Sequence, residues 1–132
     1  MIRRVMIANR GEIALRVLRA CRERGLETVG IYSRVDRNLR HLDYADSTFC
    51  ISETDYVNMD SLLMAARLSG CDAVHPGYGF LSENADFARR VEEEGLTWIG
   101  PAADTIAAMG DKSRARKLVA EHGLDPVPGS EG

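Results

Sequence analysis

Five short apolar runs alternate with amphipathic stretches along this chain, and that alternation constrains the fold more than any other feature. The runs are Val5-Met6-Ile7-Ala8, Thr28-Val29-Gly30-Ile31-Tyr32, Thr48-Phe49-Cys50-Ile51, Cys71-Asp72-Ala73-Val74 and Thr97-Trp98-Ile99-Gly100. Each is too short for a buried helix and is bounded by turn residues or helical patterns, so each reads as a strand. Between them, Glu12 to Glu23 places Ile13, Ala14, Val17, Leu18 and Cys21 at helical spacing, with Arg16, Arg19 and Glu23 on the other side. Arg19 and Glu23 are spaced to pair at i, i+4. Asn58 is a good N-cap for a helix through Leu68 that buries Leu62, Leu63 and Ala66, and Asn84 to Glu94 places Phe87, Ala88 and Val91 on one face. Gly25, Gly70 and Gly95 stand where those helices must stop. Pro101 suits the first turn of a further helix over Ala102 to Met109, and Asp111 opens another that carries Ala115, Leu118, Val119 and His122 inward and ends at Gly123. Strand alternating with helix predicts an α/β domain: a mostly parallel sheet of about five strands, right-handed crossovers, and helices on both faces.

At 132 residues the chain has the length of one domain, and 45% hydrophobic with 28% charged residues is ordinary globular composition. A formal net charge of −3 gives no basic footprint for nucleic acid, and no apolar run reaches the length of a membrane span. Met1 to Val5 runs directly into the first strand without the pattern of a signal or transit peptide, so a cytoplasmic location is expected. Cys21, Cys50 and Cys71 are widely spaced, form no CxxC, and each lies in an apolar run; all three read as buried thiols.

The stretch with the densest special chemistry is His75-Pro76-Gly77-Tyr78-Gly79-Phe80-Leu81-Ser82-Glu83-Asn84. It follows a strand and precedes a helix, which places it at the carboxyl edge of the sheet, where open α/β sheets bind ligands. Gly77 and Gly79 permit positive φ and close backbone approach, Tyr78 offers a flat ring and a hydroxyl, and Ser82 is placed to cap the following helix. His75, before a proline at a strand end, reads as a hydrogen-bonded structural residue and not as a general base. The turn Asn9-Arg10-Gly11-Glu12 has one glycine where a dinucleotide fingerprint needs three, and no acidic residue ends the second strand. A turn in which Asn9 and Arg10 hold neighbouring loops is the simpler reading. His41 and His122 are isolated, Trp98 reads as core, and there is no HExxH, Walker A or paired-carboxylate pattern.

Three blocks together carry a resemblance: Ile7-Ala8-Asn9-Arg10-Gly11-Glu12-Ile13-Ala14, the His75–Asn84 stretch, and Ile99-Gly100-Pro101 followed by Met109-Gly110-Asp111-Lys112. In this order and spacing they resemble the N-terminal domain of biotin carboxylase, the ATP-dependent component of the acetyl-CoA, propionyl-CoA, pyruvate and urea carboxylases. The similarity runs from about Arg4 to Gly129. It implies a Rossmann-like domain of the kind that precedes an ATP-grasp domain, here residues 1–124, with residues 125–132 as a linker toward that domain. It implies an enzyme in which ATP and bicarbonate give carboxyphosphate and the carboxyl group passes to a biotin nitrogen, with magnesium required. By resemblance, Lys112 reaches the ATP phosphates and Tyr78 and Gly79 lie near the biotin ring. The resemblance places no catalytic residue and no metal ligand in this stretch.

The implied partners are the ATP-grasp and C-terminal domains of the same enzyme, a biotin carboxyl carrier domain, a carboxyltransferase component and a second copy in a homodimer. The face of Arg16, Arg19 and Glu23 is the expected dimer contact. The chain by itself is expected to fold, to bind no cofactor tightly and to be inactive. Two other readings stay open on the residues alone: a free-standing Rossmann-like nucleotide-binding domain, and a non-catalytic dimerisation module. One departure from the family concerns Cys50 to Asn58, which is shorter than usual and carries Asp55-Tyr56-Val57 in place of Ser-Tyr-Leu; a rearranged surface loop is expected there.

Overall fold

In the computed structural model, which describes residues 1–52 and 55–110, the five strands are β1 (Arg4–Ile7), β2 (Glu27–Ser33), β3 (Ser47–Ser52), β4 (Ala73–His75) and β5 (Thr97–Trp98). They form one sheet in the order β3-β2-β1-β4-β5, and every pairing is parallel. The helices are α1 (Gly11–Glu23), α2 (Met59–Leu68) and α3 (Ala85–Glu93), with two short 3₁₀ turns at Arg34–Asp36 and Arg40–Tyr44 and a last helical run over residues 103–110. No helix among the described residues is long and apolar enough to cross a membrane.

β1 is the central strand, and Val5, Met6 and Ile7 are fully buried. Side chains alternate across a strand, so β1 feeds two cores. Met6 and Ala8 join Val29, Ile31, Val74 and Trp98 under α2 and α3, while Val5 and Ile7 join Ala73 under α1. α2 buries Leu62, Leu63, Ala65 and Ala66, and α3 buries Phe87, Ala88 and Val91, as their spacing predicts. The Phe87 and Trp98 rings meet edge-on with centroids 5.6 Å apart, which confirms the core role read for Trp98.

The glycine stops work by one mechanism. The Leu26 and Gly25 amides donate to the carbonyls of Cys21 and Arg22; Cys71 and Gly70 donate to Ala66 and Arg67; Leu96 and Gly95 donate to Val91 and Glu92. Each pair is a Schellman closure with glycine at positive φ, and each delivers an apolar residue toward the next strand.

Four local expectations are corrected. α1 is rotated by about one position: Leu15 is buried, and Ile13 and Val17 are only half-buried, because both line a groove beside the helix. Arg19 lies over the Tyr44 ring, 5.4 Å from its centroid, and the i, i+4 ion pair on this helix is Glu12–Arg16. Asn84, not Ser82, caps α3: its side chain accepts from the Phe87 amide, whereas the Ser82 amide closes the preceding turn on the Gly79 carbonyl. Cys50 is exposed, unlike Cys21 and Cys71, because β3 is the edge strand and Ser47, Thr48 and Cys50 lie in the open. For Cys21 and Cys71, burial pushes the thiol pKa up and keeps them inert.

Candidate functional site

The strand order reverses direction between β1 and β4, which makes their carboxyl ends the switch point of this sheet. Two loops meet there, Ala8–Arg10 after β1 and Pro76–Asn84 after β4. Asn9 joins them. It is 1% exposed, and its Nδ2 donates to the Pro76 carbonyl at 2.9 Å and the Tyr78 carbonyl at 2.5 Å, while its Oδ1 accepts from the Arg10 amide at 2.8 Å. A buried amide with all these partners satisfied is a rigid brace. It bears out the reading of Asn9 and Arg10 as loop holders.

The same commitments argue against a dinucleotide. At a Rossmann turn the amides at the helix start point at pyrophosphate. Here the Arg10 amide is taken by Asn9, and the Gly11 amide donates to Nδ1 of His41 at 3.3 Å. His41 is 2% exposed, and burial lowers its pKa, so it is a neutral acceptor packed under the start of α1. In the loop after β4, His75 acts likewise: its Nδ1 accepts from the Gly77 amide at 3.1 Å, and burial lowers its pKa as well. The structural role read for His75 holds.

Arg10 is itself engaged. Its Nε and Nη2 donate to the Asp36 carboxylate at 2.8 and 3.2 Å. The Tyr56 hydroxyl donates to Asp36 Oδ2 at 2.6 Å and accepts from the Ser33 amide at 3.1 Å. These contacts hold the Asp36 carboxyl below its usual range, chiefly through the Tyr56 hydroxyl, and burial together with Asp36 raises the Tyr56 phenol. Tyr56 is only 3% exposed. The stretch expected to be a surface loop therefore sends its tyrosine into the core. Asp36 and Tyr56 escape sequence reasoning because their partners are distant in the chain. The one available signal is an aromatic residue in a polar stretch.

The tip of the β4 loop is different in character. Tyr78 is 77% exposed and Phe80 45% exposed. Gly77 and Gly79 both have φ +66°, but a Cβ on Gly79 would meet nothing within 4 Å, so the space beside it is open. Below the tip, a groove of about 890 Å³ runs between α1 and the loops after β4 and β5, with Ile13, Val17, Pro76, Tyr78, Ile99 and Pro101 among its lining. A flat exposed ring, open backbone and an apolar groove suit a planar ligand with polar edges. Of the three site residues expected from sequence, Tyr78 and Gly79 come together at this tip, and Lys112 lies outside the described residues. Among the described residues no group of three or more His, Cys, Asp or Glu side chains could hold a metal ion.

A parallel sheet with an open loop at its switch point defines a doubly wound α/β domain. The family model described as "Biotin carboxylase, N-terminal domain" matches residues 1–106, and the chain belongs to that family. It is 54% identical to a biotin carboxylase of Haemophilus influenzae and 51% identical to biotin carboxylase 1 of Bacillus subtilis, in both cases over 100% of this chain and 30% of the relative. Among solved structures it is similar to the biotin carboxylase domain dimer of the Hydrogenobacter thermophilus 2-oxoglutarate carboxylase, in complex with MgADP, ADP and bicarbonate. That likeness has a TM-score of 0.84 and 45% identity, and covers 100% of this chain and 30% of that one. The chain thus spans about 30% of the length of these relatives and corresponds to their N-terminal region.

Proposed function

We propose that this domain forms one wall of the active cleft of a biotin carboxylase, an ATP-dependent ligase that carboxylates biotin with bicarbonate. The observation that carries the reading is the open Tyr78–Gly79 tip at the β1/β4 switch point, in a chain whose relatives are biotin carboxylases. Biotin's ureido ring is flat and polar at its edge. Gly79 lets it approach main chain without meeting a side chain, and Tyr78 supplies a face beside it. Lys112 would contact the ATP phosphates, a charge-assisted bond worth about 1.5–3 kcal/mol. One such contact cannot hold a nucleotide, so magnesium, bicarbonate and most of the ATP would be held by the ATP-grasp domain that follows residues 1–124 in the whole enzyme. On this reading residues 125–132 are the linker to it. The carrier domain and carboxyltransferase would act on the same enzyme, in the cytoplasm.

Steady-state kinetics of the full-length enzyme test the assignment. Tyr78→Ala should raise KM for free biotin and leave KM for ATP in place, whereas Lys112→Ala should do the reverse. If both variants leave both constants unchanged, the site assignment is wrong. For the isolated chain the expected result is a cooperative thermal melt with no bicarbonate-dependent phosphate release, since phosphoryl transfer depends on metal, nucleotide and acceptor being held together. Release that survives repurification would overturn that expectation.

The face of Arg16, Arg19 and Glu23 is proposed as a homodimer contact. A related carboxylase domain has been solved as a dimer, and Arg16 and Arg19 both lie exposed on α1. Charge reversal at Arg19 should shift full-length enzyme toward monomer in sedimentation.

A further inference from the structure

Phe80 is the only non-glycine residue at positive φ among the described residues, at +48°. A bulky side chain enters that region only when its surroundings hold it there. What meets it is Tyr56, whose ring lies 5.6 Å from the Phe80 ring at an interplanar angle of 54°. Tyr56 is held at its other end. Its hydroxyl sits between the Asp36 carboxylate and the Ser33 amide, and the Asp36 carboxylate is gripped in turn by the Arg10 guanidinium, which also lies 5.8 Å over the Tyr56 ring. Arg10 follows Asn9, whose amide holds the Pro76 and Tyr78 carbonyls. The glycine loop is thus fixed on two sides. Asn9 holds its first leg through the backbone, and Tyr56 meets the far side of the tip through Phe80. Tyr78 is held at one support through its carbonyl, and Gly79 lies between it and Phe80. Packing alone would need only a ring at position 56. A buried hydroxyl tied to the last residue of β2 and to Asp36 beyond it does more, because it fixes where that ring stands.

We propose that Tyr56, held by Asp36 and Arg10, is a positioning residue that sets Phe80 and through it the Tyr78–Gly79 tip for biotin. The inference rests on the biotin reading of the tip given above. It assigns Tyr56 no contact with substrate.

The test is steady-state kinetics of the full-length enzyme with free biotin and with ATP as separately varied substrates, on Tyr56→Leu, Tyr56→Phe and a direct control, Gly79→Val. Misplacing a binding element by about 1 Å can cost up to about a hundredfold in rate. Tyr56→Leu, which loses ring and hydroxyl, should raise KM for biotin by about tenfold or more on that scale, with KM for ATP within about twofold of the parent. Tyr56→Phe keeps the ring and should fall between Tyr56→Leu and the parent. That graded response in one constant is what a purely structural role, which lowers the melting temperature and the active fraction together, does not give. Should Tyr56→Leu fail to fold, Tyr56→Phe carries the test. If Gly79→Val raises KM for biotin and the Tyr56 variants do not, the positioning role is refuted while the biotin reading survives. If Gly79→Val has no effect either, the biotin reading of the tip fails and the proposal fails with it.

Discussion

Gly77 and Gly79 stand two residues apart in one loop with the same φ of +66°, yet their surroundings are opposite. A Cβ on Gly77 would lie 2.7 Å from Asn9 Nδ2 and 2.9 Å from Ile13 Cγ2; a Cβ on Gly79 would meet nothing within 4 Å. The first glycine lets the loop pack against α1 and its brace. The second stands beside open space. One backbone conformation thus serves stability at the buried leg and access at the open tip, and only the neighbours distinguish the two.

The largest effect that would sharpen this contrast is expected from Gly77→Ala. It combines a disfavoured φ with a clash against a buried amide, and each costs about 1–3 kcal/mol. The substitution should lower the unfolding free energy by about 3–5 kcal/mol, a large share of what a domain of this size has. Urea melts of the chain would measure it, and a loss below about 1 kcal/mol would mean that the buried leg is looser than described.

Asn9→Ala should follow. It leaves the Pro76 and Tyr78 carbonyls without their side-chain donor, at about 1–3 kcal/mol. It should also loosen the loop, seen as faster amide exchange at Gly77 and Tyr78 than at β1. Unchanged exchange there would remove Asn9 as the brace. Gly79→Ala should cost only the backbone strain, about 1–2 kcal/mol. A loss equal to that of Gly77→Ala would break the comparison, because it would mean that the tip is packed and not open.

The smallest effect is a pH dependence. Burial lowers the pKa of His75 and of His41 below the ordinary value of 6.5. The unfolded chain therefore binds more protons than the folded one, and stability is fully present above about pH 6.5 and declines as pH falls through that value toward the folded pKa. Each histidine contributes at most about 1.4 kcal/mol per pH unit. Asp36, whose pKa is lowered from 3.8, titrates below this window. His75→Asn should flatten the slope measured between about pH 7.5 and about pH 5.5 without abolishing it, leaving the share of His41. An unaltered slope would exclude His75 from the linkage.

Much of the architecture is legible in the sequence alone. Val5 to Ile7 reads as a strand from its short apolar run, and Gly25, Gly70 and Gly95 mark the helix ends because the Schellman closure is local chemistry. The candidate tip is legible too, from a proline and two glycines around a tyrosine. What holds that tip is not. Tyr56 belongs to the core through Asp36 and Ser33, 20 and 23 residues away, and Asn9 reaches Tyr78 across 69. No periodicity encodes such contacts. Cys50 departs from its expected burial for a related reason: an apolar run is the same string in a central strand and in an edge strand, and only the sheet order distinguishes them.

The central place of β1 also has a consequence for how the chain is made. β1 is synthesised first, yet its two neighbours arrive at very different times. Val5 pairs with Thr28 on one side and with Ala73 on the other. A ribosome adding about 5–20 residues per second supplies the first neighbour within a few seconds, and the second only several seconds later. In that interval Val5, Met6 and Ile7, fully buried in the finished domain, belong to a strand with one bare edge. Between the synthesis of Thr28 and that of Ala73 the nascent chain therefore carries this apolar segment half-covered, a period in which a chaperone would find it.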